Sequence, residues 1–241
     1  MLNNIQGLLA EKFAAHPFSR VPEGADYEKL LANYLAMSQA FPYLQAGSQG
    51  DIFNHYIQQG SDIPEHVELT TVVGNFLCWD ETGGLMPTVT RGLKALPKIL
   101  ETKRFHANLL KKDCEKLFSK AITPDYSPIT REYLSDLYLS LSSVDAIKRV
   151  ASMVSFEAHA NQMITSLWKT ISEKFSFSPK SLTYFVMHVG GDDPAEAYHV
   201  EMTQKLIDKI VDKENEGIFI SHFEKFYARH MKWCHDISTL S

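Results

Sequence analysis

The chain has 241 residues, long for one domain but within the single-domain range, and can bury a substantial core without disulfides or structural metals. Its formal net charge of −5 and its scattered lysines and arginines argue against a nucleic-acid partner or an anionic membrane surface, either of which wants a concentrated basic face. Three widely separated cysteines, Cys78, Cys114 and Cys234, make neither a disulfide framework nor a paired-cysteine zinc site.

The N-terminal stretch lacks a basic leader and carries Glu11 and Lys12 where a signal peptide would stay apolar. No window approaches the roughly 18 uncharged apolar residues of a membrane span. A cytoplasmic protein of one domain, residues 1–241, is expected.

Apolar spacing is helical nearly throughout. Residues 26–46 place Tyr27, Leu30, Leu31, Tyr34, Leu35 and Ser38 at three- and four-residue steps. A second helix is expected over 64–80, opened by Pro64 in its first turn. Gly83, Gly84, Pro87, Gly92 and Pro97 then break the chain into short pieces. Helical pattern resumes over 104–119 and 128–141. The longest periodic run, 143–174, carries Ile147, Val150, Val154, Ile164, Leu167 and Ile171 in a broad stripe, which suits the centre of a bundle. Further helices are expected over 178–189, 194–213 and 217–237. The β-branched runs at 70–73 and 217–220 are short enough to sit within helices, so the fold class is all-α. Between the helices expected over 178–189 and 194–213, Gly190-Gly191 followed by Asp193-Pro194 combines a stop with a start, Asp193 serving as N-cap and Glu196 completing a capping-box-like pair.

Ten histidines decide nothing by number. His222, His230 and His235 lie among Lys, Arg and Glu and read as a solvated face. His55 and His66 have polar, loop-like surroundings, and His16, before Pro17, reads as fixing the path of the chain. More informative are Glu81 and Glu157, set in apolar helical tracts where an ionised carboxylate is costly unless paired or bound to a metal. A bridge from Glu157 to Arg149 or Arg91 would serve as well. A third cluster holds His188, Asp192 and His199. On one straight helix His188 and His199 would be roughly 16 Å apart, too far for ligands of metals about 4 Å apart, unless the Gly-Gly and Asp-Pro break shortens the path. Asp192, Glu196 and His199 form a competing set; the first is preferred. Mixed imidazole and carboxylate ligands suit iron or manganese. Only one Glu-x-x-His run occurs, Glu196 to His199, which disfavours a ferritin-like centre.

Taken together, residues 15–19 (AHPFS), 36–44 (AMSQAFPYL), 76–84 (FLCWDETGG), 155–160 (SFEAHA) and 184–203 (YFVMHVGGDD to YHVEMT) resemble, in order, the haem-oxygenase-like superfamily of TENA/THI-4 and pyrroloquinoline-quinone-synthase type. The resemblance is nearest to its di-iron oxidase branch, the iron-containing redox enzymes. It implies a bundle of about seven or eight helices around a cavity, and two non-haem irons (manganese being the alternative, with no haem). The implied ligands are Glu81, His106, Glu157, His188, Asp192 and His199. Two of these depart from the family pattern. The closing histidine of the third motif arrives late, as His199, and Thr88 stands where the first histidine is usual, so that the displaced tract 105–110 offers His106 instead. The implied function is oxidation or oxygenation of a small molecule with dioxygen, with no membrane and no nucleic acid involved; a homodimer is allowed but not specified. The alternatives are a thiaminase II-like hydrolase using Cys78 and a metal-free helical binding protein.

Overall fold

The computed structural model describes residues 2–84, 91–189 and 195–241. Its helices are α1 (Leu2–Lys12), α2 (Tyr27–Gln59), α3 (Glu65–Glu81), α4 (His106–Phe118), α5 (Pro128–Leu141), α6 (Ala146–Lys174), α7 (Thr183–Val189), α8 (Ala195–Ile210) and α9 (Glu216–Ser238), with short 3-10 turns between some of them. No strand occurs among the described residues, and the β-branched runs at 70–73 and 217–220 lie inside α3 and α9.

Local chemistry sets the helix limits. Asp26 caps α2 by accepting the Glu28 and Lys29 N–H groups, each at 3.0 Å. Gly60, at φ 63°, ends α2 in the left-handed conformation that favours glycine. Thus α2 runs well past residue 46, through Pro42, because its buried face continues to Ile52. Pro64 occupies the N-cap of α3 rather than its first turn. Pro128 opens α5 behind its Ser127 cap, and Asp145 caps α6 through the Lys148 N–H.

Helix α6 is the central post, with Val150, Met153, Phe156, Leu167 and Ile171 buried along it. It packs against α9, α8, α5 and α7, while α2 packs against α3, α5 and α4. Arg149 lies wholly buried in α6 and donates to Thr70 Oγ1 (3.0 Å), to the Ser143 carbonyl (2.5 Å) and toward His66 Nδ1 (2.9 Å). It therefore ties α6 to α3 and makes no bridge to Glu157. His66, read from sequence as a residue without a role, is one of its partners.

The solvated-face reading of α9 needs correction at His230, which is only 1% exposed. Helical rotation turns it inward with Phe223, Phe226, Tyr227 and Trp233. Its Nε2–H donates to Ser155 Oγ (3.3 Å), whose own hydroxyl donates to the Ser152 carbonyl, so Nδ1 is left to accept the Tyr133 hydroxyl at 2.9 Å. Beside it, His16 accepts the Phe18 N–H on Nδ1 (3.1 Å) and donates from Nε2 to His159 Nε2 at 3.0 Å. His16 thus fixes the chain at residues 17–20, as its place before Pro17 suggests. The stop-and-start signal at 190–194, with its Asp193 cap, lies outside the described residues, as does the Glu196 side chain; α7 and α8 lie on either side of it.

Candidate metal centre

Glu81 is the last residue of α3, and the turn after it is built to bring another segment close. Thr82 closes the helix by donating to the Cys78 carbonyl (2.8 Å). Gly83 then takes φ +69°, and a β-carbon there would sit 2.6 Å from the Arg104 carbonyl oxygen. This contact holds Arg104, and His106 two residues on, against the end of α3. Gly83→Ala is therefore expected to cost roughly 1–2 kcal/mol from the left-handed backbone alone, with a further penalty from the clash. The urea midpoint measures the loss, and an unchanged midpoint would show that the glycine is not needed there.

His106 opens α4 and places Nδ1 3.2 Å from Glu81 Oε2. His188, near the end of α7, places Nε2 3.7 Å from Glu81 Oε1, and its ring meets that of His106 edge-on at 4.6 Å between centroids. One ligand atom from each of Glu81, His106 and His188 lies within 4.8 Å of the other two. The chemistry of His188 is defined by its other nitrogen, because Nδ1 is 2.8 Å from the Tyr184 carbonyl, which can only accept. One proton therefore sits on Nδ1, and Nε2 faces a carboxylate oxygen. Only a proton or a metal cation makes that approach favourable. Burial alone would raise the Glu81 pKa, but His106 and His188 beside it hold the carboxyl well below the usual carboxylate range.

A second group adjoins the first through the peptide link between Asp80 and Glu81. His199 in α8 has Nε2 2.9 Å from Asp80 Oδ2 and Nδ1 3.3 Å from Glu157 Oε2. Asp80 is 1% exposed, and its Oδ1 has no hydrogen-bond partner among the described residues. A carboxylate that accepts one N–H of an imidazole and so aims the other nitrogen is the usual support behind a metal-ligating histidine. Asp80, which sequence reasoning passed over in favour of Glu81, fits that role. The signal was present in the adjacency of two acids in an apolar helix, but only the fold shows that both point inward.

A cavity of about 290 Å³ joins the two groups, lined at one end by Glu81, Glu157, His188 and His199. Apolar side chains make most of the remainder, with Phe41 and Phe156 stacked 4.0 Å apart. His106 stands behind Glu81 rather than on the cavity wall. Asp192, the remaining sequence-derived ligand, lies outside the described residues, as does Thr88. The separation expected for His188 and His199 on one straight helix does not apply, since they belong to α7 and α8 and border the same cavity.

Two further positioning residues were not legible in the sequence. Asp113 of α4 is fully buried and accepts the Tyr184 N–H at 2.7 Å, so the helix that supplies His106 also caps the one that supplies His188. Tyr184 in turn shares a 3.1 Å hydroxyl contact with Tyr34 of α2. Cys78 is partly buried, does not line the cavity, and has its thiol pushed up by burial and by Glu81, opposite to what a nucleophile requires.

No family model matches this chain, and no curated protein sequence does. Among solved structures it is similar to a CADD-like protein of unknown function from Nostoc punctiforme, with a TM-score of 0.73 at 15% identity over 100% of this chain and 97% of that one. A second structure of that protein gives 0.66 at 16% identity, over 98% and 92% of the two chains. A domain of unknown function with a heme oxygenase-like fold from Shewanella denitrificans gives 0.52 at 14% identity, over 98% and 86%. The fold is haem-oxygenase-like and all-α. No helix among the described residues is long and apolar enough to cross a membrane.

Proposed function

We propose that this protein is a non-haem di-iron oxidase or oxygenase that acts on a small molecule, with dioxygen, inside the cavity. The observation that carries the reading is the meeting of three carboxylates and three imidazoles, from α3, α4, α6, α7 and α8, at one end of an apolar chamber. Burying such groups together is costly without a cation. The donor set fits one: His188 turns Nε2 to Glu81 while Nδ1 is held by the Tyr184 carbonyl, and Asp80 Oδ1 has no hydrogen-bond partner among the described residues.

In this reading Glu81, His106 and His188 hold one iron, and Glu157 and His199 the other, with Asp80 orienting His199 and Asp192 retained from the sequence as a sixth ligand. Bound ferrous iron supplies the electrons that reduce dioxygen and the oxidising power that acts on the substrate. The protein's own part is to orient the imidazoles, to keep the Glu81 carboxylate ionised and to exclude water with Met37, Phe41, Phe156 and Ile164. The similar proteins of known structure are themselves of unknown function, so they bear on the fold alone.

The test is anaerobic loading with ferrous salt, followed by desalting and elemental analysis. About two irons per chain are expected, in line with a two-metal site. Retention of no iron or manganese above background would defeat the proposal and leave the metal-free binding protein as the better reading.

A further inference from the structure

Four aromatic rings form an unbroken file from the chamber to the protein surface. Tyr184 of α7 lines the chamber, and its ring lies 4.2 Å from that of His188. Its hydroxyl meets that of Tyr34 of α2 at 3.1 Å, with the ring centroids 6.2 Å apart. Tyr34 stacks on Trp233 of α9 at 6.4 Å, and Trp233 stacks on Tyr133 of α5 at 4.6 Å. Aromatic pairs in contact have centroids about 4.5–7 Å apart, so each gap in the file is a single ring contact. All four rings are almost wholly buried, yet Trp233 and Tyr133 border a surface pocket of about 200 Å³ between α5 and α9.

Packing alone explains a cluster of buried rings, but not the way this one ends. Tyr133 donates its hydroxyl hydrogen to His230 Nδ1 at 2.9 Å, a nitrogen left as acceptor because Nε2–H is committed to Ser155 Oγ. Burial holds the Tyr34 and Tyr133 phenols protonated, well above the ordinary phenol value. Phenol and indole are, with the sulfur side chains, the groups of a protein that lose one electron most easily, and transfer between them falls off steeply with distance. The radical cation of a phenol is a strong acid, so a phenol is oxidised readily only where a base takes its proton. Tyr133 has that base in place, at the point where the file reaches the surface pocket.

We propose that Tyr184, Tyr34, Trp233 and Tyr133 form a relay that carries a stray oxidising equivalent out of the chamber to the surface pocket, where a small water-soluble one-electron reductant of the ascorbate class discharges it. The proposal rests on the oxidase reading of the chamber. One electron passes inward along the file, ring by ring, and Tyr133 supplies it. The Tyr133 O–H bond breaks, its proton forms an N–H bond at His230 Nδ1, and a neutral phenoxyl radical is left. The reductant gives one electron to that radical, the proton returns from His230, and the phenol is restored. The chamber is thereby reduced by one electron and the external reductant oxidised by one. Met37 and Met163, which line the chamber and are open to oxidation at sulfur, are spared.

The experiment loads the full-length protein anaerobically with ferrous salt, mixes it with dioxygen in the absence of substrate, and freezes samples over time for electron paramagnetic resonance. Iron content and dioxygen consumption are measured on the same samples, and helix content on each variant. The parent is expected to give a tyrosyl signal with the slow relaxation of a radical remote from iron, and added ascorbate should discharge it. Tyr133→Phe, which deletes one hydroxyl, should lose that signal. Trp233→Phe should lose it too, and mass spectrometry should then find oxidation moved to Met37, Met163 and Tyr184. His230→Gln removes the base and should slow the appearance of the signal. Tyr227→Phe removes a buried phenol outside the file and should leave the signal at the parent's level. A parent that binds iron and consumes dioxygen without a tyrosyl signal would overturn the relay and leave the oxidase reading standing. So would a signal that survives in both Tyr133→Phe and Trp233→Phe. A protein that takes up no iron would sink the oxidase reading, and the relay with it.

Discussion

Glu81→Ala is expected to abolish iron binding at the Glu81, His106 and His188 group and to lower total iron to at most half of the parent's. Glu81 contacts both imidazoles, 3.2 Å to His106 and 3.7 Å to His188, so its removal takes away the anion and the bridge at once. Loss of a supporting residue behind a metal ligand typically costs 10–100-fold in affinity, and loss of the ligand itself should exceed that. Glu157→Ala is expected to empty the His199 side in the same way. Asp80→Asn, which keeps the shape but weakens the acceptor for His199 Nε2, should fall in the 10–100-fold range. His106→Ala is the most discriminating variant, because His106 comes from a displaced tract that departs from the family pattern. Iron per chain by elemental analysis, set against helix content by circular dichroism, measures all four. Parent-like iron in Glu81→Ala or His106→Ala, with the fold intact, would show that this cluster is not a metal centre.

Acidification from pH 6.5 to about 4.5 should destabilise the protein steeply, ahead of most of its carboxylates. Burial holds His16 at a pKa of about 4 and His230 at about 3, against an ordinary 6.5, and pushes His159 well below that value. In the folded state these rings stay neutral, while in the unfolded chain they bind protons as pH falls through 6.5. A depressed folded pKa means stability that is fully present above the unfolded value and is lost on descending toward the folded one. Each ring contributes a slope of about 1.4 kcal/mol per pH unit in that window, and three together up to about 4. Two units of acid thus remove up to about 8 kcal/mol, a large part of a total stability of about 5–15 kcal/mol. The carboxyl of Glu81 acts with the same sign but only below its ordinary 4.5, so the upper part of the window isolates the histidines. Urea midpoints between pH 8 and 4.5 should stay level above 6.5 and drop steeply beneath it. His230→Gln, which keeps a donor and an acceptor for Ser155 and Tyr133, should make the drop shallower by about one proton. A stability independent of pH from 6.5 to 4.5 would show that the cluster is hydrated or already charged in the folded protein.

Most of the helices and the absence of strands among the described residues follow from the sequence, because three- and four-residue apolar spacing is a local signal, whereas α1 and the run of α2 from 46 to Gln59 are not expected from it. The same holds for the conspicuous acids Glu81 and Glu157, which their apolar neighbours in the chain already mark as buried. Local reasoning failed where burial depends on the rotation of a helix against distant partners. His230 sits among charged residues in the chain, yet faces Tyr133 and Ser155. Asp80 is one peptide from Glu81, yet only the packing of α8 on α3 shows that it holds His199. Asp113 gives no sign in sequence that it caps a helix some seventy positions later. Periodicity states which face of a helix is apolar, but which polar groups meet inside is a matter of crossing angles and register between segments far apart in the chain. Those are set by the packing of whole helices, and no short stretch of sequence contains them.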